Sequence, residues 1–207
     1  MKYSSTLDVK VYNGVYYPAE DSYLLLSALT KEKGKKYRKA MDVGCGCGII
    51  ALYLLLNDIA KYVIACDINI KAVINTKDNL MNKRIYHRAD IIQCDILNPP
   101  FRQNEYIDII VSNPPYLPID EELTLNSISI EDLSWYGGID GRSVIEAVIN
   151  LSKSILVRGG LLYIVQSSIS NIDKTLEILG RAGIKGKVVK RVHIFFEDIV
   201  VIKAIKQ

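Results

Sequence analysis

Asn113-Pro114-Pro115-Tyr116, inside the stretch VSNPPYLP (111–118), combine residue types that can hold a planar nitrogen. The run 106–111 before them reads as a buried strand. It has to stop at the prolines, because proline donates nothing to a sheet ladder. Asn113 brings a side-chain oxygen. The prolines keep the Pro114 carbonyl out of any ladder, which leaves it free as a second acceptor. Tyr116 offers a flat face for stacking. Two acceptors aimed at the N–H bonds of an amide or exocyclic amine would orient that group. They would also return electron density to a nitrogen whose lone pair is otherwise delocalised. Such a reaction depends on positioning, and no histidine or cysteine nucleophile stands nearby. A plain Pro-Pro turn would need neither the asparagine first nor the tyrosine last.

A second group of residues suits a nucleoside. MDVGCGCG (41–48) follows a strand-like run and leads into a helical one. Gly44, Gly46 and Gly48 let the backbone turn tightly and approach a ligand closely. Their spacing is GxGxG, not the GxGxxG of a dinucleotide fold. Asp67 closes the strand-like VIACD, where a carboxylate can accept both ribose hydroxyls of an adenosine. Asp95 closes IIQCD, and with apolar Ile96 it can meet the edge and face of an adenine. A lone aspartate at a strand end is ordinarily a turn former. Two at successive strand ends beside a glycine loop point to a binding site. An NAD enzyme is the structural rival, but no phosphate ligand or hydride-donor site is visible.

The elements that must position these groups alternate. Strand-like KAMDVG, KYVIACD, DIIQCD, YIDIIVSN and GGLLYIVQ are interleaved with helical IIALYLLLN, IKAVINTKDNLMN, RSVIEAVINLSKSIL and IDKTLEILGRAG. Alternation requires a mostly parallel sheet covered on both faces. KVVKRVHIF and DIVVIKAI follow one another too closely for a crossover helix, so they form an antiparallel hairpin. The fold class is α/β, doubly wound and Rossmann-like. Upstream, Asn13-Gly14 between valine and tyrosine runs predicts a short β-hairpin, followed by a helix over YLLLSAL. The 207 residues are read as one domain, with 1–39 as an extension of a core over 40–207.

Composition narrows the function classes. Net charge is only +3, from 26 basic and 23 acidic residues, so a nucleic-acid grip has little support. The basic cluster KEKGKKYRK (31–39) reads as a solvated loop. The apolar GIIALYLLL is too short to span a bilayer, and the N-terminus lacks a secretion signal, so a cytoplasmic location is expected. Cys45, Cys47, Cys66 and Cys94 lack metal-ligand spacing and read as buried reduced thiols; no metal site is expected.

From about residue 40 onward this layout resembles the class I S-adenosylmethionine-dependent methyltransferases, whose seven-stranded sheet ends in an antiparallel pair. The resemblance implies S-adenosylmethionine as cofactor and S-adenosylhomocysteine as product. It implies that Asp42, Gly44, Gly46 and Gly48 surround the methionine end, Asp67 and Ile68 the ribose, and Asp95 and Ile96 the adenine. Asn113, Pro114 and Tyr116 would be catalytic, with Asn113 also bordering the cofactor. In such families [ND]PP[YF] marks methylation of amide or amino nitrogens in proteins, DNA or RNA.

GVYYPAEDSYLLLSAL and WYGGIDGRSVIEAVI are similar to the HemK-type release-factor glutamine methyltransferases, in particular their short archaeal and eukaryotic branch. That resemblance implies N5-methylation of the GGQ glutamine of a class I translation release factor. Asp21 and Ser22, the latter where the family has threonine, would reach the methionine end. Gly137, Gly138, Asp140 and Gly141 would shape a substrate-side loop, or simply a tight turn. The branch implies a small zinc-binding activator subunit as heterodimer partner, which 49% hydrophobic content permits. The rivals are a DNA adenine-N6, RNA guanine-N2 or protein lysine methyltransferase, and a non-catalytic cofactor-binding scaffold. The nucleic-acid enzymes would need a recognition module, for which the chain has no spare domain.

Overall fold

A computed structural model describes residues 7–102, 104, 106–119, 136–194 and 196–207. Trp135, which opens the second family-like motif, and Phe195, the last residue of KVVKRVHIF, lie outside the described residues. Seven strands form one sheet: β1 (Tyr37–Val43), β2 (Ala60–Asp67), β3 (Ala89–Gln93), β4 (Ile107–Ser112), β5 (Leu156–Ser167), β6 (Ile184–Ile194) and β7 (Glu197–Lys206). Their order is β3-β2-β1-β4-β5-β7-β6. The first five pair in parallel. β7 inserts antiparallel between β5 and β6, so the expected closing hairpin is present. The strand order reverses between β1 and β4, which is where open α/β sheets keep their ligand crevice.

Two faces of the sheet carry two apolar clusters. In β4, Ile109 and Val111 point to one cluster and Ile110 to the other. This is the period of two that a strand imposes. On the first face lie α1 (Glu20–Leu29) and α2 (Ile49–Leu56), with Leu25, Leu26 and Leu29 fully buried. Each such burial is worth about 1.5–3 kcal/mol. On the other face α4 (Ser143–Ile155) and α5 (Ile172–Arg181) bury Ile145, Val148, Ile149 and Leu179. α3 (Ile70–Asn82) spans the run IKAVINTKDNLMN because the Asn69 side chain caps it, accepting from the Lys71 amide at 2.9 Å.

Three expectations need correction. Among the described residues the N-terminal segment forms no β-hairpin, although Val15 N–H does close a turn onto the Tyr12 carbonyl. The segment instead lies along α3. There Asn75 Oδ1 accepts from Tyr12 N–H at 2.8 Å and Asn75 Nδ2 donates to the Lys10 carbonyl at 2.8 Å, while Asn79 Oδ1 accepts from Lys10 N–H at 3.1 Å. Side-chain amides four residues apart on one helix face thus replace a partner strand. Second, β3 ends at Gln93, two residues short of Asp95. Third, KEKGKKYRK is not wholly solvated. Glu32 is buried and accepts from Tyr37 and Tyr163 hydroxyls and from Lys203 Nζ, each at 2.7 Å.

Candidate active site

A cleft of about 550 Å³ opens at the carboxyl ends of β1, β2 and β4, within the ~300–1,000 Å³ usual for small-molecule sites. On one side the glycine loop turns from β1 into α2. Gly44, Gly46 and Gly48 all have left-handed backbone (φ 75°, 53° and 81°). A Cβ on Gly46 would meet nothing within 4 Å, so the loop presents open backbone to the cleft. Gly48 has a different reason: its Cβ would sit 2.9 Å from Thr76 Cγ2 on α3. Gly48 is a packing glycine and does not line the cleft. Nor does Asp42, which was expected at the methionine end. Asp42 is fully buried behind the loop, where Oδ2 accepts from Ala51 N–H at 3.0 Å and Oδ1 has no hydrogen-bond partner among the described residues. Burial, reinforced by the nearby Asp67 charge and opposed by the Ala51 amide, pushes its carboxyl up to about 8.

Asp67 ends β2 and lines the cleft beside Ile68. Its Oδ2 accepts from Gly46 N–H and its Oδ1 from Asn69 N–H, both at 2.9 Å. These bonds fix the loop to the strand end and leave each oxygen a second lone pair. Burial raises the Asp67 carboxyl above its ordinary range, and the Gly46, Asn69 and Ile68 amides pull it back. Asp95 and Ile96 also line the cleft. Asp95 is exposed in the loop after β3, where Oδ1 accepts from Leu97 N–H at 2.9 Å. Cys45, Cys47 and Cys66 are buried as expected, whereas Cys94 is half-buried at the cleft wall.

The Asn-Pro-Pro-Tyr stretch forms the opposite wall, and Asp21 organises it. Asn113 Nδ2 donates to Asp21 Oδ2 at 3.0 Å and to Ser22 Oγ at 3.2 Å. Both amide hydrogens are therefore engaged. Oδ1 is buried and accepts no bond among the described residues. Asp21, 5% exposed in the first turn of α1, also accepts from the Tyr16 hydroxyl at 2.9 Å to each oxygen and from the Tyr116 hydroxyl at 3.2 Å. Burial, followed by the Asp21 charge, holds both phenols well above the ordinary tyrosine range, so they remain donors. Asp21 and Ser22, read from the sequence as contacts to the cofactor's methionine end, here bond the Asn113 amide. No hydrogen bond to the Pro114 carbonyl occurs among the described residues.

The GGIDGR segment braces this wall, and its Gly137 and Gly138 line the cleft themselves. Gly137 N–H donates to the Leu117 carbonyl at 2.9 Å and Ile119 N–H to the Gly138 carbonyl at 3.0 Å. A Cβ on Gly137 would lie 2.6 Å from the Pro115 carbonyl oxygen, and one on Gly141 2.3 Å from that of Tyr116. Asp140 Oδ1 accepts from Arg142 N–H at 3.2 Å. Arg142 is buried and pins the start of α4 to that of α5, donating to the Asn171 carbonyl at 2.9 Å and Thr175 Oγ1 at 3.0 Å. Sequence reasoning gave no role to Tyr16 or Arg142. For Tyr16 the one available signal was a second tyrosine just before Pro18 and the acidic pair.

The cleft is acidic. Its described lining includes Glu20, Asp21, Asp67, Asp95 and Glu197, and no lysine, arginine or histidine. Its open glycine backbone, ribose-ready carboxylate and negative field suit an adenosyl group that carries a positive charge.

Comparison with known proteins agrees with this geometry. Residues 10–127 match the family model of the methyltransferase small domain. A putative protein N5-glutamine methyltransferase of Methanocaldococcus jannaschii is 31% identical over 96% of this chain and 95% of its own length. The eRF1 methyltransferase catalytic subunit of Schizosaccharomyces pombe is 30% identical over 87% of this chain and 84% of its own. Among solved structures, the E. cuniculi Mtq2–Trm112 complex, described as responsible for methylation of the eRF1 translation termination factor, matches with a TM-score of 0.70 at 25% identity. That match covers 94% of this chain and 99% of the other. The chain belongs to the methyltransferase small-domain family and, within it, to the HemK-type protein N5-glutamine methyltransferases.

Proposed function

We propose that the protein methylates the side-chain amide nitrogen of the GGQ glutamine in a class I translation release factor, with S-adenosylmethionine as donor. One observation carries the chemistry, a planar N–H group as acceptor: a buried Asn113 Oδ1 that lacks a donor, on an amide whose orientation Asp21 and Ser22 fix. The likeness to N5-glutamine methyltransferases supports glutamine as that group. A buried unsatisfied acceptor costs about 1–3 kcal/mol, which an incoming N–H bond would recover.

When bound, the cofactor supplies an electrophilic methyl group on a positively charged sulfur. Asp67 and Ile68 would hold its ribose, Asp95 and Ile96 its adenine, and Gly44 and Gly46 its methionine end. Asn113 Oδ1 and the Pro114 carbonyl would accept the two N–H bonds of the glutamine amide. Held there, the nitrogen's lone pair is turned toward the donor and its delocalisation into the carbonyl is weakened. The Tyr116 ring supports the flat face of the amide, and its hydroxyl is kept in place by Asp21. The acidic cleft argues against DNA or RNA as the acceptor, since phosphate contacts come chiefly from lysine, arginine and other donors.

By likeness to the solved complex, the partner is a small activator subunit, which we read as zinc-binding. Ile70, Ile74 and Met81 leave an exposed apolar stripe on α3 of the kind a subunit covers. The reading treats 1–207 as one methyltransferase domain in the cytoplasm; no described helix is long and apolar enough to cross a membrane. Incubating the chain, alone and with a candidate activator, with S-adenosylmethionine and a class I release factor tests this by peptide mass spectrometry. A methyl group on the GGQ glutamine supports it. Methyl groups on lysine, or on added duplex DNA or RNA only, would remove it.

A further inference from the structure

Three segments far apart in sequence each line the cleft and, beside a lining residue, carry one large apolar side chain in solvent. Tyr17 stands between cleft-lining Tyr16 and Pro18 and is 72% exposed. Ile139 follows cleft-lining Gly138 and is also 72% exposed. Phe196, in the turn between β6 and β7, precedes cleft-lining Glu197 and is 101% exposed. A single exposed apolar residue is ordinary. Three, each next in sequence to a residue that lines the same cleft, call for a partner.

The backbones that carry them are anchored. Tyr16 is tied to Asp21. Gly138 accepts from Ile119 N–H and Gly141 N–H. The β6–β7 turn is braced by Asp198, which pairs with Arg191 at 2.5 Å and His193 at 2.9 Å, and by the bond from Ser167 to Glu197. The side chains are thus presented by fixed loops. Among the described residues the charged groups that line the cleft are acidic, as with Glu20 and Glu197, and Asp140 beside Ile139 lies 3.8 Å from Lys174. Such a rim repels phosphate and suits an uncharged or mildly basic polypeptide loop with small and apolar residues beside the acceptor.

We propose that Tyr17, Ile139 and Phe196 form an apolar collar that seats the residues flanking the acceptor side chain of a protein substrate. This rests on the protein-amide methyltransferase reading of the cleft. The collar determines recognition of the folded substrate. It contributes nothing to cofactor binding or to the transfer itself, because none of the three residues is among those that line the cleft.

The test uses Phe196→Ser and the triple variant Tyr17→Ser/Ile139→Ser/Phe196→Ser, with the activator subunit where it co-purifies. Thermal melts confirm folding. Steady-state kinetics use a class I release factor as substrate, and calorimetry uses S-adenosylhomocysteine. KM for the release factor should rise roughly tenfold in the single variant and on the order of a hundredfold in the triple. Turnover at saturation and affinity for S-adenosylhomocysteine should stay at wild-type values. A triple variant with wild-type KM, or one that loses turnover instead, overturns the collar while the active wild type keeps the proposed function. A wild type that transfers no methyl to the release factor overturns the proposed function, and the collar with it. Loss of activator binding in the triple variant, or of methyl transfer to RNA, would assign these residues to another partner and refute the inference.

Discussion

Asp21→Asn separates positioning of the Asn113 amide from binding of the cofactor. The wild-type carboxylate accepts from Asn113, Tyr16 and Tyr116, and from Ser22 N–H at 2.5 Å. A carboxamide of the same shape has one acceptor oxygen where the carboxylate had two. Its NH2 group would face either Asn113 Nδ2 or Ser22 N–H, neither of which can accept from it. The relief available is for the Asn113 amide to turn over, which directs Nδ2 to the acceptor site and removes the oxygen the substrate needs. A hydrogen bond to a charged group is worth about 1.5–3 kcal/mol. Losing that bias should lower turnover roughly 10- to 150-fold. Affinity for S-adenosylhomocysteine, which has no sulfonium charge to miss the carboxylate, should change by less than about threefold, under ~0.7 kcal/mol. Turnover comes from methyl incorporation at saturating release factor, and affinity from calorimetry on the same preparations. Turnover within threefold of wild type, or an affinity loss as large as the turnover loss, would refute Asp21 as the residue that orients the clamp.

Two further substitutions probe the scaffold. Asp42 has an ordinary pKa of 3.8 and sits at about 8 when folded. The folded chain therefore keeps a proton that the unfolded chain releases. The associated stability is fully present below about pH 4 and is lost as pH rises through 8. Wild type should lose on the order of 4 kcal/mol more than Asp42→Asn between about pH 5 and pH 8, read from denaturant melts; parallel pH profiles would show that Asp42 titrates normally. Gly141→Ala places a Cβ 2.3 Å from the Tyr116 carbonyl oxygen at φ +69°. It should cost at least ~1–2 kcal/mol from backbone conformation alone and lower turnover by displacing Tyr116; a variant with wild-type melting and turnover would show that the brace is dispensable.

The alternation of strands and helices was legible because its periodicity and its caps are local. α3 matches its expected run from the Asn69 cap to Asn82, and the closing hairpin followed from a connection too short to cross over. What could not be read was set by contacts between distant segments. Asn13-Gly14 does turn, but whether its flanks pair with each other or lie on a helix depended on Asn75 and Asn79, whose amides read in isolation as ordinary surface residues. Glu32 looked like one more charge in a basic run, yet Tyr163 and Lys203 from two distant strands bury it. At the site, the acidic strand ends and NPPY were visible as types and spacing. The coupling of Asp21 to Asn113 was not, since 92 residues separate them. Asp42 and Gly48 sit in a motif expected to bind ligand, but they support the loop from behind.

The most direct measurement is fragmentation mass spectrometry of a class I release factor incubated with S-adenosylmethionine and either wild-type protein or Asn113→Ala, with the activator subunit where it co-purifies. The expected spectrum places one methyl group on the GGQ glutamine with wild type. With Asn113→Ala that signal should be essentially lost while S-adenosylhomocysteine still binds. Equal methylation by the Asn113→Ala protein would contradict the claim that a buried asparagine oxygen orients the acceptor amide, and a methyl group found on any other residue but not on that glutamine would contradict glutamine as the acceptor.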